Sequence, residues 1–224
     1  MTRFVALMIL TMMIASTATA VLPTKDEPVR TVYFIRHGEY EHGNDDVDEG
    51  CLVALGRQQA RLIAERLDAQ PVEFTSIQAS TLCRARETAE LIAPYFPDLE
   101  ITLHDDIREC TPNTRRQDIM SEMEPGEAAD CEANLLSAWQ RIMTPVTGDQ
   151  DEHDIVVCHG NIIRWYVCQV LKVDPIAWLE MSIANGSVTV MQVRADGSMK
   201  LISFADSGHI PWGMTTYPGT EVVQ

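Results

Sequence analysis

Positive charge is scarce in this chain. Lys and Arg number 17 against 33 Asp and Glu, giving a formal net charge of −16 and a sequence pI near 4.6. Such a surface repels polyanions, which excludes nucleic acid and anionic membranes as natural partners. Any anion site must be built locally. Internal repeats, low-complexity tracts and linker-like stretches are also missing, so 224 residues read as one globular domain with a proper core. No Cys-x-x-Cys pair occurs, which removes the common zinc and redox signatures.

The N-terminus is equally poor in charge. Arg3 is followed by a twelve-residue, mostly apolar run, Phe4 to Ala15, and by the small-residue triplet Ala18–Thr19–Ala20. This pattern is expected to be a signal peptide over 1–20, leaving a domain over 21–224 and an exported (periplasmic or secreted) protein. The alternative is a membrane anchor, since residues 4–22 carry no charge and are nineteen long. Of six cysteines, Cys158 and Cys168 lie in apolar runs and read as buried free thiols. Cys110 and Cys131 bracket a polar, Pro-containing insertion and are the best disulfide pair.

Strand and helix signals alternate. Continuous apolar runs at Thr31–Ile35 and Asp154–Cys158 predict strands covered on both faces. Val72–Ile77 and Ile101–Leu103 are further strand candidates. Helical spacing predicts Arg57–Leu67, Arg84–Ala93, Asn134–Met143 and Ile162–Leu171. Residues 110–130 read as irregular. Ser187–Val193 and Met199–Phe204 flank an Asp-Gly hairpin turn. The expected fold is an α/β three-layer sandwich: a mainly parallel central sheet, helices on both faces, and an antiparallel C-terminal hairpin.

Polar residues then fall in a telling place. Arg36, His37 and Gly38 follow the first strand, Ser80 and Arg84 the second, Glu109 the short third, and His159–Gly160 the fourth. Ligands bind beyond the carboxyl ends of such strands. Two guanidiniums suit a phosphate dianion and repel a metal dication. Gly38 and Gly160 permit close approach, and the helix after His159 turns its free N–H groups to the same place. A neutral imidazole there can attack phosphorus, and a carboxyl group can protonate the leaving oxygen. Taken singly, each residue has a bland explanation; their joint placement carries the chemistry. His42, His104, His153 and His209 read as loop residues without a chemical role.

The segments "IRHGEY", "LVALGRQQA", "STLCRARETAELI", "IRE" and "VCHGNIIRW" resemble the histidine phosphatase superfamily, the phosphoglycerate-mutase-like fold, over residues 31–210. "CHGNIIRWYVCQVLKVDPIAWLEMSIANGSVT" and "DSGHIP" resemble its mitochondrial, mutase-like serine/threonine phosphatase branch. The resemblance implies His37 as the nucleophile, with Arg36, Arg84 and His159 holding phosphoryl oxygens. It implies Glu109 as proton donor and neither metal nor other cofactor. There are departures. "YEHGND" after the Arg-His-Gly-Glu argues against a mutase. Val53 replaces the family's usual Thr, removing a helix cap. The segment Val21–Arg30 lacks the Trp-rich motif of ring assembly. A disulfide at Cys110 would stiffen the loop carrying the acid.

The resulting expectation is a phosphomonoester hydrolase acting on phosphorylated protein or, alternatively, on small phosphate esters, and available as a homo-oligomer. Two readings of other classes stand beside it. One is a phospho-ligand binding protein without turnover. The other is a metal-dependent hydrolase using His37, His42, Asp45, Asp46 and His159.

Overall fold

The computed structural model describes residues 27–42 and 50–217. Six strands form one sheet: β1 (Arg30–Arg36), β2 (Ser76–Ser80), β3 (Ile101–His104), β4 (Glu152–Cys158), β5 (Val188–Val193) and β6 (Met199–Asp206), in the order β3-β2-β4-β1-β5-β6. The first four are mutually parallel, and β5 and β6 add antiparallel at one edge. The helices are α1 (Ala54–Asp68), α2 (Cys83–Ile92), the single turn α3 (Gln117–Met120), α4 (Glu127–Ile142) and α5 (Gly160–Leu171).

Alternation along the strands splits the core into two layers, because successive strand residues point to opposite faces. Ile35, Ile155 and Val157 meet Ile63, Ala64 and Leu67 of α1 and Ala85, Ala89 and Ile92 of α2. Val32, Phe34, Val156 and Cys158 meet Leu135, Ala138 and Ile142 of α4 and Ile162, Ile163 and Tyr166 of α5. Both faces of β1 and β4 are therefore covered, as their unbroken apolar runs require. The three-layer sandwich with its antiparallel hairpin is the expected fold.

Several boundaries differ from expectation. The second strand begins at Ser76 rather than Val72. The Thr75 amide instead reaches the His153 carbonyl as a lead-in. Residues 110–130 are not wholly irregular: α3 lies within them, and α4 starts seven residues before Asn134, behind a left-handed Gly126. His104 closes β3 and His153 lies in β4, so neither is a loop residue. Val53 caps α1 without a side-chain hydrogen bond, as its missing hydroxyl demands. The predicted signal or anchor segment lies outside the described residues. Among the described residues no helix is long and apolar enough to cross a membrane.

Two disulfides are present. Cys110–Cys131 is the expected pair, while Cys51–Cys83 was not foreseen. Cys158 and Cys168 are buried free thiols, as read from their surroundings.

Candidate active site

The sheet register explains how the site forms. Arg36 lies opposite Cys158, so the next residues, His37 and His159, leave two adjacent parallel strands side by side. Their ring centroids are 5.1 Å apart. The His37 amide still donates to the Cys158 carbonyl, at 3.1 Å, and the Arg36 amide to Ser187. Ser80 ends β2 beside them, with its Oγ 2.8 Å from His159 Nε2. Arg84 comes from the first turn of α2, and Glu109 from the loop after β3.

His37 is buried, and its Nδ1 donates to the Gly38 carbonyl at 2.7 Å. That bond fixes the tautomer and leaves the Nε2 lone pair facing Arg84 Nε, 3.3 Å away. Burial, then Arg36 and Arg84, hold the imidazole well below its usual pKa. The ring is neutral, with its nucleophilic nitrogen toward the cations. His159 is likewise held well below its usual pKa, by burial first and then by His37, Arg84 and Arg36. Its Nδ1 sits 3.8 Å from Glu109 Oε2.

Arg36 is 4% exposed and gives Nη1 to the Ile183 carbonyl at 2.6 Å. Arg84, also 4% exposed, lies over the Tyr40 ring at 4.6 Å. Tyr40 in turn meets the His37 ring edge-on at 5.1 Å. Glu109 accepts from the Asn161 amide at 3.2 Å, capping the N-terminus of α5. Burial raises the Glu109 carboxyl above its ordinary pKa, against the pull of Arg36, Arg84 and Arg164.

Among the described residues, Arg36 Nε and His159 Nδ1 are buried without a hydrogen-bond partner. Buried polar nitrogens are rarely left so. One of them belongs to the Arg36 guanidinium, and with Arg84 bearing on the same imidazoles the positive charge suits an anion. The side chains of His37, Glu109 and His159 also offer three metal-ligand atoms within 4.8 Å of one another. Arg36 and Arg84 bear on both imidazoles, and that charge disfavours a dication. Of the other residues in the metal-site reading, His42 is exposed and paired with Glu39 at 2.7 Å, while Asp45 and Asp46 lie outside the described residues.

Every expected site residue is thus brought together, but Gly38 serves differently. Its amide donates to Thr88 Oγ1 at 3.2 Å, so it is taken up within the protein and not offered to a ligand. A Cβ at Gly38 would lie 2.5 Å from the Gly56 carbonyl oxygen. The glycine is needed for packing of the His37 loop on α1. At Gly160 the close neighbour is Arg36 itself: a Cβ would come within 3.2 Å of Nε.

Arg164 was missed. It is buried in α5, where it donates to the carbonyls of Gly160 and Met181 and to Asn161 Oδ1, and lies 4.7 Å over the Trp178 ring. Burial lowers its pKa to about 10, opposed by Glu109. The signal was a lone cation inside the apolar run "NIIRWYV". Asn161, which holds both Arg164 and the acid, was missed with it.

Comparisons with known proteins show the family. The family model described as "Histidine phosphatase superfamily (branch 1)" matches residues 32–206. The mitochondrial serine/threonine-protein phosphatase PGAM5 of Xenopus tropicalis is 32% identical over 190 residues, covering 84% of this chain and 68% of that protein. The mitochondrial Pgam5 phosphatase of Caenorhabditis elegans is 34% identical over 192 residues, covering 84% of this chain and 66% of that protein. A phosphoglycerate mutase from Bacillus anthracis matches the fold with a TM-score of 0.65 at 19% identity, over 82% of this chain and 96% of that one. These relatives correct one expectation. The curated phosphatases are mitochondrial by name, against a periplasmic or secreted protein, and export is set aside. From strand ends to matched residues, the conclusion is that this chain belongs to the histidine phosphatase superfamily and is a phosphatase.

Proposed function

We propose that the chain hydrolyses phosphomonoesters through a phosphohistidine on His37, without a metal, and that its substrates are phosphoserine and phosphothreonine in proteins. The observation carrying the chemistry is the neutral His37, with Nε2 unprotonated and accepting from Arg84 Nε, beside the unpartnered Arg36 Nε and His159 Nδ1. Nε2 attacks phosphorus, and the bond to the leaving oxygen breaks. Glu109 gives that oxygen its proton. Arg36, Arg84 and His159 hold the equatorial oxygens where negative charge is spread. Water then attacks the phosphohistidine, Glu109 takes a proton from it, and phosphate leaves. The protein-substrate class is supported by the names of the mitochondrial relatives. Comparing phosphate release from phosphopeptides and from small phosphate esters tests it. Consistently faster turnover of the small esters, by kcat/KM, would overturn it in favour of metabolite phosphatase activity.

The charge at the site gives a direct expectation. Vanadate should inhibit competitively, as a trigonal-bipyramidal mimic of the transferring phosphoryl group. Activity should persist in excess EDTA. Loss of turnover on chelation, restored by a divalent ion, would contradict the metal-free mechanism.

The pH profile follows from two opposite shifts. His37 must be neutral, and its lowered pKa moves the acidic limb of kcat below the ordinary histidine range. Glu109 must carry its proton, and its raised pKa moves the alkaline limb above the ordinary carboxyl range. With serine phosphate, kcat should therefore fall as pH rises through the Glu109 pKa. With p-nitrophenyl phosphate, whose alcohol leaves unprotonated, that alkaline limb should flatten. Identical profiles for both substrates would remove Glu109 from the acid role.

A further inference from the structure

Both disulfides end one residue from the site. Cys83 directly precedes Arg84, and Cys110 directly follows Glu109. Their other ends are in quite different places. Cys131 is buried in the core under α4. Cys51 lies in the segment returning toward His37, where the Glu41 amide donates to its carbonyl and Leu52 bridges to Tyr40.

We propose that the two disulfides are positioning crosslinks for the acid and for the phosphate-binding arginine, and that a dithiol reductant lowers turnover by opening them. The inference rests on the phosphohistidine reading of the same site. Cys110–Cys131 fixes the acid. Asn161 donates its amide to Glu109 and its Nδ2 to the Cys110 carbonyl at 2.9 Å, holding the loop from α5. The disulfide holds it from α4. The next side-chain anchors of the loop, from Trp178 and Glu132, engage Asn113, three residues further on. Opening the bond removes the anchor from the α4 side, leaving Asn161 as the side-chain clamp on Glu109 itself. Cys51–Cys83 fixes the arginine. It ties the start of α2, which carries Arg84, to the segment paired with Tyr40, whose ring packs against both Arg84 and His37.

The switching step balances simply. A dithiol gives two electrons and two protons to each bond, the S–S bond breaks to two thiols, and the reductant closes to its own disulfide. Cys51 and Cys110 are partly exposed, so each bond has one accessible end.

The test uses the full chain, oxidised or held in dithiothreitol, with free thiols counted and thermal unfolding followed. Cys110→Ser/Cys131→Ser and Cys51→Ser/Cys83→Ser double variants are assayed alongside. For the first variant, the first step on serine phosphate should slow on the order of tenfold, with the p-nitrophenol burst much less affected, because only the former needs the acid in that step. For the second, KM and the vanadate inhibition constant should rise on both substrates. Reduced wild type should show both effects together, and it carries the test if a variant does not fold. Equal rates for oxidised and reduced wild type overturn the inference while leaving the phosphatase reading intact. So does an equal first-step loss on both esters in the first variant, which marks a merely structural bond. Oxidised protein that releases no phosphate from either ester overturns the site reading and the inference with it.

Discussion

His37→Ala is expected to reduce phosphate release on the order of 10⁴-fold or more while leaving the protein folded. No other described group replaces it. His159 is the imidazole packed against it, but its Nε2 is engaged by Ser80 and its Nδ1 faces Glu109. The fold should tolerate the change. His37 lies past the end of β1, and its backbone bonds to Cys158 and Asn185 remain. The ring makes two side-chain bonds, donating to the Gly38 carbonyl and accepting from Arg84 Nε, each worth about 1–3 kcal/mol. Its removal also brings no buried charge into the pocket, because the imidazole is neutral. Anion binding should survive, since Arg36, Arg84 and His159 remain. Steady-state phosphate release, circular dichroism and vanadate titration check the three parts separately. Appreciable turnover by a folded variant would remove His37 from the nucleophile role.

Glu109→Gln is expected to slow serine phosphate by roughly 10²- to 10⁴-fold, the usual contribution of a positioned acid. The same change should slow p-nitrophenyl phosphate far less. The carboxyl is held by the Asn161 amide, and its raised pKa keeps a proton available to an alkoxide leaving group. Glutamine preserves the shape and can still accept from Asn161, but has no acidic proton. The readout is the ratio of the two losses in the first step, followed as the burst of released alcohol, because the water step that Glu109 also serves is common to both esters. Parallel first-step losses on the two esters would make Glu109 a structural cap of α5 instead.

Much of this was legible because the sheet writes itself plainly. Val32 to Ile35 and Ile155 to Cys158 are apolar on every position, which only a strand with both faces buried explains. Once those strands are parallel neighbours, the residues just beyond them must converge, and His37, Arg36 and His159 follow. Arg84 and Glu109 were readable by the same rule, from strands whose ends are less cleanly marked. The start of α4 was hidden because Gly126 and the acidic stretch after it look like loop. Their helical face becomes apparent only through Ala128 and Cys131, which are buried. Cys51–Cys83 joins positions 32 apart, and local sequence says nothing about a pair brought together by the Tyr40–Leu52 bridge. Arg164 and Asn161 were overlooked for a similar reason. Their partners, Met181, Trp178 and Cys110, arrive from other segments. Gly38 reads as room for a ligand, and the structure shows a packing reason for it that local sequence could not, the Gly56 backbone 2.5 Å from a Cβ placed there.

The phosphorylated intermediate is the most direct test. Wild-type protein is quenched during turnover of a phosphorylated substrate in excess EDTA, and the site of any protein-bound phosphate is located by mass spectrometry. The mechanism predicts a single acid-labile, alkali-stable phosphate on His37, more abundant in Glu109→Gln when a good leaving group is used, since the water step then lacks its base. Turnover without any phosphate on His37, or with phosphate on another residue, would contradict it.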